Sequence, residues 1–300
     1  MAPSGPLDGP TRYRALVTYA ESTVTQDLPP RTLTRDRLLV TLGAVLCVVG
    51  TILGTGVAGS SVETQGEGLF SDQATLIAPD GPAFAIWSVI YAGLAGYVVW
   101  QWLPVSAASA WAAFTRVPAA ASLALNGLWL IVVQQGWVWG SVVVIVLLLA
   151  SLIAVYRGLR ETGQRSTPAS TVLVEATFGL YLGWVCVAIC ANIALALVGS
   201  GAPATGTVAA ISTVLVLSVV VAIAALLFTV PAPAVARAAA AAAIVWGLSW
   251  IAVGRLTDEP RSALVGWWAA VAAILVVVAL LVLRRRPPAG LGQPRPAQPA

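Results

Sequence analysis

The stretch LYLGWVCVAICAN, residues 180–192, decides how this chain is read. It lies inside a long apolar run, yet it carries a tyrosine, a tryptophan and an asparagine. A helix that only has to span hydrocarbon needs none of them. Tyr181, Trp184, Ala188 and Asn192 follow one another at spacings of three, four and four. At roughly 100° per residue they share one helical face less than about 90° wide. An amide in hydrocarbon needs a partner, so that face is expected to point toward other helices or a cavity.

The rest of the chain fixes the medium. Of its 300 residues, 59% are hydrophobic and only 9% are charged, whereas a soluble domain is about one-quarter charged. Apolar runs of about eighteen residues or more recur along it, which marks a multi-pass membrane protein. Eight spans are predicted, at 38–58, 82–103, 118–136, 139–157, 171–197, 206–229, 233–254 and 264–283. The expected fold class is an all-α polytopic membrane protein with about eight transmembrane helices. Gly136 predicts a tight turn between the third and fourth spans, and Pro231 and Pro233 another between the sixth and seventh.

Arginine placement tests the count. All 16 basic residues are arginine. With the sides numbered alternately, every one falls on the side of the N-terminal tail except Arg255 and Arg261. The opposite side also collects Glu63, Glu67, Asp72, Asp80, Asp258 and Glu259. Positive residues hold the cytoplasmic side during insertion, so both termini are expected in the cytoplasm, with the chain in a plasma membrane of bacterial type. A cleaved signal peptide fits the first span poorly. The small residues Val57 to Ser60 do follow it, but the preceding tail is long and the run exceeds a usual signal core. The tails, 1–37 and 285–300, are rich in Pro, Gly and Arg and are expected to lack stable structure, with only a weak helical signal over 11–20.

Composition also excludes classes. No basic stripe interleaved with aromatics points to nucleic acid. The chain has no histidine, which removes the commonest metal ligand and general base. Cys47, Cys186 and Cys190 lie in apolar runs and read as small buried hydrophobes. The lack of His, of a Ser–base pair and of a metal cluster points away from an intramembrane enzyme without closing that reading.

Two more spans repeat the spacing of the opening stretch. The third carries Asn126, Trp129, Val133 and Trp137; the second carries Phe84, Trp87 and Tyr91. Asn126 and Asn192 are the only asparagines, and both fall within spans. Trp100, Trp102, Trp137, Trp139, Trp267 and Trp268 lie near span ends and read as an interfacial belt. Trp87, Trp129 and Trp184 lie deeper, and two readings stay open for them: packing between helices, or lining a pocket. Glu175 is the only acid within a span. It is a candidate proton site or ligand contact, or else a solvated residue favoured by its helix dipole. Gly50, Gly54 and Ala58 form a small-residue ridge, a weak signal for a homodimer.

Taken together, three of these motifs resemble a known family. Y-L-G-W-V-C-V-A-I-C-A-N, from Tyr181 to Asn192, resembles the last-helix signature of the tryptophan-rich sensory protein family (TspO/MBR, which includes the translocator protein), with its Tyr, Trp, Ala and Asn in register. P-A-F-A-I-W-S-V-I-Y-A-G-L-A-G, from Pro82 to Gly96, resembles that family's second helix, although Phe84 and Trp87 stand one residue closer than usual. L-A-L-N-G-L-W, from Leu123 to Trp129, resembles its third. The chain departs from the pattern in three ways. It has three more helices, Leu180 replaces a proline, and residues 59–81 contain four acids and no Trp where the family loop is rich in Trp and Pro.

The resemblance implies a five-helix bundle over 38–200; the span count adds three further helices over 201–284, and the arginines place the tails, 1–37 and 285–300, in the cytoplasm. The resemblance also implies a membrane binding, sensory or carrier protein for a flat amphipathic molecule such as a tetrapyrrole, which would be a ligand rather than a required cofactor. The ligand residues would be Trp87, Tyr91, Asn126, Trp129, Tyr181, Trp184 and Asn192. The expected partners are a lipophilic small molecule and membrane lipid. An alternative is a proton-coupled secondary transporter of a small lipophilic solute working through Glu175, although no internal repeat stands out. The last three helices are expected to be an accessory unit, in which Trp246 and Trp250 share a face.

Overall fold

A chain this apolar must satisfy its backbone within helices, and the computed structural model of the protein is made of them. It describes residues 30–54, 71–107, 110–159 and 166–283. The eight long helices are α1 (Pro30–Gly54), α2 (Ile86–Trp100), α3 (Ala110–Gln134), α4 (Val138–Gly158), α5 (Thr177–Gly199), α6 (Gly206–Thr229), α7 (Ala234–Thr257) and α8 (Ala263–Leu283). A 3-10 turn, Gly81–Ala85, leads into α2, and a π-helical turn, Thr171–Ala176, leads into α5. Among the described residues, eight segments are long and apolar enough to cross a membrane.

The turns fall where the sequence places them. Gly136 has φ 67, a left-handed conformation that glycine adopts freely, and it separates α3 from α4. Pro231 and Pro233 lie between α6 and α7. Two helix starts differ from expectation. α1 begins at Pro30, inside the stretch expected to be an unstructured tail; proline suits a first helical position because its missing N–H has no partner there anyway. α3 begins at Ala110 and runs through Pro118, the predicted start. Arg116 argues against hydrocarbon in the sequence, but it is buried here and its Nη2 donates to the Ser106 carbonyl at 2.9 Å. The 11–20 segment, most of the two tails, Ala58, Glu63 and Glu67 lie outside the described residues.

The helices pack in the spatial order α1, α3, α4, α5, α7, α8, α6, with α2 set against α5 and its π turn. Small residues permit the closest crossings. A Cβ on Gly50 would overlap the backbone of Gly127, so at Gly50 the small-residue ridge of α1 meets α3 of the same chain. Residue 200, where the motif resemblance ends, falls at the α5–α6 turn. Packing does not break there, because α7 lies along α5 and both contribute to one buried core. Trp246 and Trp250 meet edge-on at 5.7 Å and face the approach to α2: the Trp246 indole donates to the Ala83 carbonyl at 2.8 Å.

Of the expected belt tryptophans, Trp102, Trp137, Trp139 and Trp267 are exposed and Trp268 is half-buried. Trp100 is a correction, being only 3% exposed. Its ring stacks on Tyr97 at 6.3 Å, and Tyr97 meets Phe178 of α5 edge-on at 5.0 Å. The Trp100 side of the end of α2 is therefore turned into the bundle, while Val99 and Trp102 stay exposed.

Arg255, one of the two arginines on the acidic side, is buried. Its guanidinium donates to the carbonyls of Thr75 (3.4 Å), Pro260 (3.1 Å) and Asp72 (3.3 Å). It thereby holds the irregular segment Thr75–Pro79, all of it buried, against the end of α7. Buried non-helical backbone needs partners from the protein, and Arg255 supplies them here. Arg255 thus serves as a ligand for carbonyls and not as a free interfacial charge.

Candidate functional site

The matched spacings on α2, α3 and α5 bring their stripes together. On α2, Trp87 and Tyr91 are one turn apart and stack at 5.2 Å with 24° between planes. Trp87 then meets two rings of α5 edge-on, Tyr181 at 5.8 Å and Trp184 at 6.3 Å. Phe84 meets Trp184 in the same manner at 5.8 Å. Edge-to-face contact sets the positive ring edge against the negative face of the next ring.

Beside the rings runs a polar thread. The Tyr91 hydroxyl donates to Asn126 Oδ1 at 3.1 Å, and Asn126 Nδ2 donates to the Tyr181 oxygen at 2.8 Å. Tyr181 donates onward to the Ser122 carbonyl at 3.4 Å. About one turn along α3, Trp129 Nε1 donates to Asn192 Oδ1 at 2.8 Å, and Asn192 Nδ2 donates to Ser141 Oγ at 2.8 Å. Each amide therefore donates and accepts between helices, which removes the penalty of burying it in hydrocarbon. Asn126, Tyr181, Trp184 and Asn192 are buried, and Trp87, Tyr91 and Trp129 are half-buried. Trp137 leaves the stripe: it stands beyond the end of α3 and is exposed.

One donor in this cluster is unused. Trp184 Nε1 is buried and has no acceptor. Buried N–H groups are nearly always paired, so an orphan among ring faces calls for an explanation. A cavity of about 320 Å³ lies beside the cluster, in the gap between α1 and α2, with Tyr91, Cys47, Thr51 and Leu123 in its wall. Of the aromatic cluster only Tyr91 reaches this wall; Trp87, Tyr181 and Trp184 lie behind it.

Glu175 lies in the π turn before α5, is buried, and accepts from the Ser166 hydroxyl. Its solvated reading is thereby corrected: the turn packs against α2 and α7, and Glu175 is only 3% exposed. Among the described residues, no group of His, Cys, Asp or Glu is placed to hold a metal ion.

Some members of the network escape a reading of the sequence. Cys47 reads as an inert hydrophobe, yet its thiol donates to Asn126 Oδ1 at 3.7 Å. Ser141 lies just after the Gly136 turn and shows no periodic signal, and Ser122 contributes a backbone carbonyl, which no residue type reveals. The one available sign was that an in-span Asn needs partners on a neighbouring helix.

A comparison with curated proteins finds no match, and a comparison with solved structures finds none either. A family model described as TSPO-like protein matches residues 38–282, from within α1 almost to the end of α8. The match takes in the three helices beyond the five-helix resemblance, and with it the eight-helix, multi-pass chain belongs to the TSPO-like protein family.

Proposed function

We propose that this membrane-embedded protein binds a flat amphipathic small molecule, such as a tetrapyrrole, as a sensor or carrier. The observation that carries the reading is the unpartnered Trp184 indole N–H within the cluster of Phe84, Trp87, Tyr91 and Tyr181. In this reading Trp87 swings off Tyr91 as the ligand enters from the gap between α1 and α2. The ligand's ring then stacks on the exposed faces, and a polar edge of it accepts from Trp184. Asn126 and Asn192, with Trp129, hold the three helices in register around it.

The test is titration of the detergent-purified protein with protoporphyrin, read from the porphyrin's own absorbance so that removing a tryptophan does not alter the signal. Saturable binding is expected in the parent, and at least tenfold weaker binding in Trp184→Leu. Equal affinity in the two would overturn the assignment. A sterol and a fatty acid serve as competitors to define the ligand class.

A second reading, proton-coupled transport, is favoured by one observation: Glu175 is buried within a π turn, a feature often found at functional sites. Uptake into proteoliposomes that depends on a pH gradient and vanishes in Glu175→Gln would support it. Uptake indifferent to the gradient would remove it.

A further inference from the structure

α5 and α6 are consecutive, yet α6 leans on α8 and meets α5 at few points. The separation leaves a cavity of about 560 Å³ between α4, α5 and α6, roofed by Thr75, Leu76 and Ile77. We propose that this cavity seats one acyl chain of a bilayer phospholipid. It is separate from the aromatic cluster and stands whether or not that cluster binds a tetrapyrrole.

The lining sets the chemistry. It is aliphatic apart from Cys190 and the hydroxyl groups of Thr75, Ser212 and Thr213; it contains no aromatic ring and no charged group. The Thr213 hydroxyl is turned back onto its own helix, donating to the Ala209 carbonyl at 2.8 Å. A flat aromatic ligand would find no face to stack on, and a polar one would find little to orient it. A saturated chain asks for neither.

The mouth sets the source. Ile193, Leu197, Val208 and Val219 belong to the wall and are also exposed on the outside of the helices, Val208 by 65%. In a multi-pass protein that outer surface meets hydrocarbon, so the cavity opens to lipid tails rather than to water. Along α6 the wall runs from Val208 to Ile223, about 22 Å of helix axis at a rise of ~1.5 Å per residue. That is most of a hydrocarbon layer of about 30 Å. One end of the cavity lies at Ala202, Pro203 and Ala204, in the α5–α6 turn, where a headgroup can remain at the interface. Left empty, the lining would lose its dispersion contacts, and the fluid that adjoins it is lipid.

The test uses the full-length protein in vesicles of phosphatidylcholine with a mid-chain diazirine on one tail, photolysed and mapped by peptide mass spectrometry. Cross-links are expected at several-fold higher yield on 189–198 and 208–223 than on the exposed face of α1. Ala209→Phe and Ala194→Phe, which fill the cavity, should abolish that excess while labelling of α1 stays unchanged. Ser212→Phe, at an exposed wall position, serves if either variant fails to fold. Labelling spread in proportion to exposure, or an excess that survives the filling variants, overturns the proposal. So does labelling by a diazirine fatty acid but not by the phospholipid.

Discussion

Gly183 of α5 and Ala240 of α7 are in backbone contact: a Cβ on Gly183 would overlap the Ala240 carbonyl oxygen and stand 2.9 Å from its Cα. Gly179 repeats the arrangement one turn earlier, against Ala236 and Ala239. The two central helices of the protein meet along this seam. Gly183→Val is therefore expected to force them apart and destabilise the fold by about 1–3 kcal/mol, the usual range for overpacking. Thermal unfolding in detergent, followed by tryptophan fluorescence, checks this. Val143→Ala, on an exposed face of α4, should leave the midpoint where it was, and equal midpoints for all three proteins would contradict the close seam.

Trp129 and Asn192 join α3 to α5 through a single side-chain hydrogen bond of 2.8 Å. A double-mutant cycle with Trp129→Phe and Asn192→Leu should return a coupling of about 0.6–1.7 kcal/mol, as for other interhelical pairs in membranes. Strictly additive single effects would mean that the two side chains do not share this bond.

Arg255→Met removes the donor that three loop carbonyls share. The segment 71–80 should then exchange its amide hydrogens several-fold faster, with little change in α1 or α3. Uniform protection in that segment would show that it is held by other means.

Reporter domains fused in turn to residue 1 and residue 300 should both report the cytoplasm. The fourteen arginines on the side of the N-terminal tail motivate this expectation. Opposite signals from the two fusions would refute the even number of crossings.

The helical spans were legible because an uncharged apolar run of sufficient length has one stable form in lipid. The stripes were legible too, since Asn126, Trp129, Tyr181 and Trp184 recur at helical spacing. The partners of those residues were not. Spacing along one helix gives a face but not the helix it meets, and nothing in the Ala-rich start of α7 announces that it lies on Gly179 and Gly183. Helix ends were misjudged for a related reason. Arg116 looks like an interfacial charge until Ser106 is seen beside it, and Trp100 looks like a belt residue until Tyr97 covers it.

The placement of α6 on α8 bears on biogenesis. A chain is made from its N-terminus, and α8 is translated only after α6 and α7 are complete. At ~5–20 residues per second, the interval between the end of α6 and the end of α8 is roughly three to eleven seconds. During that time α6 stands in the bilayer without its main neighbour. It is suited to the wait: from Gly206 to Thr229 it carries no ionisable side chain, so lipid alone can solvate it. α7, which carries Arg237 near its start and Arg255 near its end, enters when α5 is already there to receive it. The order of the helices along the chain thus sets a schedule in which an uncharged span waits and one that carries two arginines finds its partner already in place.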